Sequence, residues 1–296
     1  MKTISFIIAM LLCMIPQAKA QDADFTYESG NYLHSLLKYR KATFNTNETS
    51  AQSILAIYLH GGTSRGSDNE KPLTEAATDS IVNYLQQCGT PATFIVPQCP
   101  ENAQWDEEHI AQIRGLIYDY TTNHDIDSTR VYIFGASMGG SGVWNALSTY
   151  PGVFAAGMAV AGDPTRYNAE SVAQTPVFTV VGTADVVMDM ERTETFTQKL
   201  DSLGCEYRFE TEDGYDHETT CTKAFTKERL EWVFAHELNN TPQAVKTVSS
   251  SSRAIKETQY FSIDGQRLQA PMSHGIYLQT IIYTDATSET RKIIAR

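Results

Sequence analysis

Between about residues 54 and 238, short apolar runs alternate with longer stretches that are apolar on one side only. Ile54–Leu59 (ILAIYL), Ala92–Val96, Arg130–Phe134 (RVYIF), Ala155–Val160, Val177–Val181 (VFTVV) and Glu206–Glu210 read as strands. Their mostly unbroken apolar character is what a strand covered on both faces requires. Between them, apolar residues recur at helical spacing. Thr74–Gln87 places Ala76, Ile81, Val82 and Leu85 on or near one side. Glu107–Asn123 repeats Ile110, Ile113, Ile117 and Tyr120, and its leading Glu107 and Glu108 suit the positive end of a helix. Met138–Thr149, Glu191–Leu203 and Thr222–Leu238 complete the helices. Repeated βα units predict an α/β fold with a mostly parallel, doubly wound sheet.

The pattern changes at Asn239. Residues 239–254 are polar and Ser-rich (Thr247-Val248-Ser249-Ser250-Ser251-Ser252 among them) and read as a linker. Residues 255–296 offer short strands, Gln259–Ile263, Gly275–Tyr283 and Arg291–Ile294, separated by turns such as Asp264-Gly265. So few residues bury little, so they predict a small β appendage or a segment that folds on a partner. At the other end, Lys2, the apolar run Ile4 to Ile15 and the small-x-small triplet Ala18-Lys19-Ala20 have the form of a secretory signal over residues 1–20. The run is short for a membrane span. Export then leaves 21–238 as the main domain, with no membrane span and a secreted or cell-surface location.

Charge narrows the partners. The 296 residues carry a formal net charge of -12, which argues against nucleic acid or an anionic membrane as the main partner. Beyond the signal stand Cys88, Cys99, Cys205 and Cys221. In an oxidising compartment they allow two disulfides in three pairings, and free buried thiols are the alternative. No Cys-x-x-Cys or His/Cys cluster points to a metal, and no cofactor is expected.

The chemistry lies at Gly135-Ala136-Ser137-Met138-Gly139, a G-x-S-x-G between a strand and a helix. A tight turn there exposes the Ser137 hydroxyl above the strand ends, and flanking glycines let neighbouring backbone pass without Cβ clashes. The helix starting at Met138 turns its free N–H groups toward a developing oxyanion. A second N–H is expected from Leu59-His60-Gly61-Gly62, after the first strand. Gly62 is the expected donor, with Thr63 as its alternative, while His60 reads as a packed residue that shapes the loop. The general acid–base partners should follow in chain order. Asp185 stands just past the Val177–Val181 strand, where catalytic groups collect in open α/β sheets. Asp163 is the second candidate, and Asp189 and Glu191 fall into a helix start. Of the later histidines, His217 sits in a turn-rich loop, His236 inside the final helix and His274 in the appendage, which leaves His217 as the base. Trp105 and Trp144 are aromatic candidates for a substrate pocket. Trp105 is the one expected to line it, and core packing suits Trp144.

The segments 59–73 (LHGGTSRGSDNEKPL), 96–105 (VPQCPENAQW), 130–144 (RVYIFGASMGGSGVW) and 150–163 (YPGVFAAGMAVAGD) together resemble secreted esterases of the α/β-hydrolase superfamily. The branch is the dienelactone-hydrolase and feruloyl-esterase-like one, including carbohydrate esterase family 1 relatives and "predicted peptidases". The resemblance spans residues 50 to 238 and implies triad roles for Ser137, Asp185 and His217. It departs at Asp185-Val186, where relatives often carry Asp-Pro, and at Asp216-His217, where Gly-His is common. The segments 260–268 (YFSIDGQRL), 274–279 (HGIYLQ) and 291–296 (RKIIAR) are similar to the short sorting domains of type IX secretion in Bacteroidetes, which implies secretion machinery as a partner.

The expected activity is hydrolysis of a carboxylic ester, small or polysaccharide-borne, with acetyl or feruloyl esters of plant polysaccharide as the substrate class. A prolyl-oligopeptidase-like peptidase would use the same triad, and a glycan-binding protein on a hydrolase scaffold would need none of it.

Overall fold

A computed structural model describes residues 19–20, 23–32, 35–46, 52–238, 255–262, 266–271, 275–284 and 288–295. The chain divides into two units, 1–238 and 239–296. Residues 1–18 of the expected signal, the linker 239–254, Asp264-Gly265 and His274 lie outside the described residues.

In the first unit, eight strands form one sheet: β1 (Thr26–Tyr32), β2 (Ser35–Phe44), β3 (Ser53–Leu59), β4 (Ala92–Pro97), β5 (Ile126–Ala136), β6 (Ala156–Val160), β7 (Val177–Gly182) and β8 (Tyr207–Glu212). Their spatial order is β1-β2-β4-β3-β5-β6-β7-β8. From β4 to β8 every pairing is parallel, while β1 and β2 are antiparallel. The helices are α1 (Ala76–Gln87), α2 (Glu107–Asn123), α3 (Met138–Thr149), α4 (Ala169–Val172), α5 (Met190–Ser202), α6 (His217–Lys223) and α7 (Lys227–Phe234).

The period of two along each strand divides the core in two. On β3, Ile54, Ala56 and Tyr58 join Ile81 and Leu85 of α1 and Phe234 of α7. Leu55, Ile57 and Leu59 point the other way, to Ile113 of α2, Trp144 of α3 and Phe196 of α5. Both faces are therefore covered, which accounts for the unbroken apolar run. Ala20 is buried with the first cluster, and its N–H donates to Asp79 Oδ1 at 2.5 Å.

Two parts depart from the sequence reading. The hairpin β1–β2 was not expected. It is an edge strand and its neighbour, and β1 is largely solvent-facing, so its composition carries little apolar signal. The expected final helix Thr222–Leu238 is two helices. Ala224, Phe225 and Thr226 separate them, and the Thr226 hydroxyl accepts the Arg229 N–H to start α7. His236 thus lies beyond the end of α7, its Nδ1 against Trp232 O and its Nε2 3.1 Å from Glu206.

The second unit holds β9 (Ile255–Ser262), β10 (Arg267–Leu268), β11 (Gly275–Tyr283) and β12 (Ser288–Ala295) in one antiparallel sheet, ordered β10-β9-β11-β12. Tyr260 and Tyr277 pack edge to face across it. Among the described residues no helix is long and apolar enough to cross a membrane.

Candidate active site

Strand β5 runs into Ser137, and α3 begins one residue later. Ser137 holds φ 55° and ψ −118°, a conformation that costs a non-glycine residue of order 1–3 kcal/mol. Its N–H bonds Val160 O at the end of β6, and its carbonyl accepts from Ser141 in the first turn of α3. Such a turn is possible only where the crossing backbones meet closely. A Cβ on Gly139 would fall 1.8 Å from Leu59 O.

The other two groups arrive from loops at the same ends of the strands. Asp185 follows β7, and His217 opens α6 behind Asp216, whose side chain caps that helix through the Thr219 N–H. His217 Nε2 is 2.8 Å from Ser137 Oγ, and His217 Nδ1 is 2.8 Å from Asp185 Oδ2. The Asp185 side chain is fully buried, and its Oδ1 accepts the N–H groups of Val187 and Met188, both at 2.8 Å. Those two bonds fix the carboxylate plane, so the second oxygen faces the imidazole. Gly182 lets the two loops meet: a Cβ there would fall 2.1 Å from Tyr215 O. The second acid candidate, Asp163, is turned inward on its own loop, with Oδ1 accepting from Thr165 N–H and hydroxyl. Asp189 caps α5.

Gly62 and Met138 line the same cleft as Ser137, a hollow of about 790 Å³. The N–H of Met138 is one of the unpaired donors at the start of α3. Gly61 N–H donates to Glu75 Oε1 at 3.1 Å, and the following residue, Gly62, lines the cleft. His60 is fully buried, with Nδ1 2.7 Å from Gly61 O and Nε2 accepting the Cys99 N–H at 2.9 Å. Both ring nitrogens are thereby used by a neutral imidazole, and burial pushes its pKa down to about 4. Its role is to hold the loop.

Glu75 is the residue that reading the sequence missed. Its carboxylate accepts from Gly61 N–H, from the Ser64 hydroxyl at 2.5 Å and from the Tyr58 hydroxyl at 2.5 Å. Burial raises its pKa, and the same three donors oppose that rise. Its partners lie 11 to 17 positions away in sequence, so no local motif announces it.

Trp105 lies along the cleft but is only 3% exposed. Its indole N–H donates to His60 O, and its ring packs edge-on against His60. It therefore offers the cleft an edge, not an open face on which a sugar could stack. Trp144 is fully buried against Phe196. Cys88, Cys99, Cys205 and Cys221 are all free thiols. Cys221 Sγ is 3.9 Å from His217 Nε2, and burial pushes its pKa up to about 12, so it stays protonated beside His217. Among the described residues no cluster of His, Cys, Asp and Glu could hold a metal ion.

This sheet order, with a strained serine between the fifth strand and its helix, defines the α/β-hydrolase fold. Solved structures of that fold resemble the chain. A thermostable esterase is 24% identical over 72% of this chain and 63% of its own, with TM-score 0.66. A mutant feruloyl esterase module from Clostridium thermocellum, complexed with sinapinate, is 13% identical over 75% of this chain and 90% of its own, with TM-score 0.59. A puromycin-hydrolyzing peptidase of Mycobacterium tuberculosis is 13% identical over 67% of this chain and 38% of its own, with TM-score 0.52. The chain spans less than two thirds of the thermostable esterase. No protein-family model matches the chain, and no curated protein matches it in sequence.

Proposed function

We propose that the protein is a serine carboxylic-ester hydrolase. The observation that carries this is the continuous chain Ser137 Oγ, His217 Nε2, His217 Nδ1, Asp185 Oδ2, with both links at 2.8 Å. His217 takes the hydroxyl proton as Ser137 attacks the ester carbonyl, because a serine hydroxyl is a poor nucleophile at neutral pH. Asp185 holds the tautomer with the proton on Nδ1 and stabilises the imidazolium. The N–H groups of Gly62 and Met138 receive the oxyanion, and loss of one such donor costs about 3 kcal/mol in comparable sites. His217 then returns the proton to the leaving alcohol. Water, deprotonated by the same imidazole, releases the acyl group and restores Ser137.

The substrate class proposed is acetyl or feruloyl esters of plant polysaccharide, met outside the cell. The feruloyl esterase among the similar structures and the signal-like residues 1–20 support it. The second unit is proposed as an address for secretion machinery. A peptidase reading has one observation in its favour, the peptidase among the similar structures, to which this chain corresponds over 38% of the length.

The test is labelling of the purified protein by a fluorophosphonate, with hydrolysis of p-nitrophenyl acetate, methyl ferulate and a peptide anilide. Ser137→Ala is expected to abolish labelling and to lower kcat on the order of a million-fold. Asp185→Asn should lower it about ten-thousand-fold while labelling persists slowly. A folded wild-type protein that neither labels nor turns over any ester sinks the enzyme reading in favour of a glycan-binding one. A peptide anilide cleaved faster than the esters would select the peptidase.

A further inference from the structure

Four arginines elsewhere in this acidic protein are held by acids. Arg40, Arg192, Arg229 and Arg267 each hold a carboxylate. Two arginines that line the active-site cleft do not. Arg65 and Arg166 have no ion-pair partner among the described residues. Arg65 follows the oxyanion loop, and its guanidinium lies over Gly62, where a Cβ would meet Nη1 at 3.6 Å and Cζ at 3.8 Å. Its Nε is buried and has no hydrogen-bond partner. Its backbone is pinned, since Arg65 O accepts from Lys71 Nζ.

A buried donor on a cation without an acceptor is costly, and most such groups in native proteins are satisfied. The acids of the cleft are occupied elsewhere. Asp163 bonds Thr165, and Asp106 caps α2 and pairs with His109. Glu107 is exposed and makes no ion pair with either arginine. The Nη groups of Arg65, which lie over Gly62 in the cleft, are thus free to take an acceptor from the substrate. The planar guanidinium fork suits a carboxylate bound through two parallel hydrogen bonds.

Resting on the hydrolase reading above, we infer that the cleft selects esters that carry a carboxylate close to the scissile bond, received by Arg65 and steadied by Arg166 at the rim. The carboxylate can sit on the acyl part, as in a dicarboxylic half-ester, or on the alcohol part, as in an acetylated uronic acid. Arg65 beside Gly62 places it within a few bonds of the carbonyl that the oxyanion loop receives. The net charge of -12 makes this selection local. The body repels anions, so any preference for them must arise from contacts inside the cleft.

The experiment compares kcat/KM on matched pairs with the full protein. One pair is p-nitrophenyl acetate against p-nitrophenyl hemisuccinate. The other is an acetylated galactose against an acetylated galacturonic acid. Wild type is expected to favour the charged member of one pair by about tenfold or more, as charge-assisted hydrogen bonds allow. The pair that shows it says which side of the ester bears the charge. Arg65→Gln should bring that ratio near one, Arg65→Lys should restore part of it, and Arg166→Gln should lower it less. If Arg65→Gln fails to fold, judged by circular dichroism, the ratios for wild type, Arg65→Lys and Arg166→Gln decide alone. Turnover with no preference in either pair, or a preference untouched in every folded arginine variant, overturns the inference and leaves the hydrolase reading standing. No turnover of any ester and no fluorophosphonate labelling overturns both.

Discussion

At the residue scale, the site is a nest of buried polar groups with few spare partners. Glu75 serves the Gly61–Gly62 loop, proposed above to carry an oxyanion donor, so its loss should act on kcat more than on KM. Glu75→Leu leaves Gly61 N–H and the Ser64 and Tyr58 hydroxyls without their acceptor, and kcat on p-nitrophenyl acetate should fall by up to about a hundredfold. Glu75→Gln keeps one acceptor oxygen and should fall less. An equal loss in both variants, appearing in KM alone, would contradict this role. His60 adds a pH dependence. Its folded pKa lies near 4, below the ordinary 6.5, so the unfolded chain binds the proton first. The stability associated with it is full above pH 6.5 and is lost as pH falls toward 4. That loss amounts to about 3 kcal/mol. Urea denaturation of wild type and His60→Gln between pH 7 and 4 checks this, and the wild type should lose more stability across that window. Ser137 and His217 were legible in sequence because chemistry and chain order constrain them to short motifs and loops. Glu75 was not, since only the fold brings it beside Gly61, and the packed edge of Trp105 was not, since residue type says nothing of which face is free.

At the element scale, the strand ends do the assembling. β3, β5 and β7 deliver the Gly61–Gly62 loop, Ser137 and Asp185, and the loop after β8 brings His217 across β7 at Gly182. Gly182→Ala forces its Cβ against Tyr215 O and should part the two loops. We expect a loss of about 1–3 kcal/mol in stability and a larger loss of activity than the stability change explains. Chemical denaturation beside steady-state rates measures both. A variant with wild-type kcat would show that the Asp185 and His217 loops are placed independently of that crossing. The central strands and most helices were legible from apolar runs because both sheet faces are buried. The edge hairpin β1–β2 was hidden by its exposure. The split between α6 and α7 was hidden because Thr226 caps a helix inside an otherwise continuous helical pattern.

At the scale of the whole molecule, every residue of the candidate site lies in the first unit, 1–238. A chain ending at Leu238 should label with fluorophosphonate and hydrolyse p-nitrophenyl acetate at a rate within about twofold of the full chain, as for a domain with its own core. Loss of labelling in a chain that still melts cooperatively would tie the second unit to the chemistry. The conformation of Ser137 concerns the whole molecule as well, because β5, β6 and α3 together hold one residue at φ 55°. A tensioned part slackens when it is allowed to bend. Ser137→Gly removes the steric conflict that Ser137→Ala retains, so the two inactive variants differ mainly in that tension. Glycine ordinarily lowers stability by about 1 kcal/mol relative to alanine. Here the glycine variant should melt at or above the alanine variant, and the reactivity proposed for Ser137 would then be visible as a thermal cost carried by the resting fold.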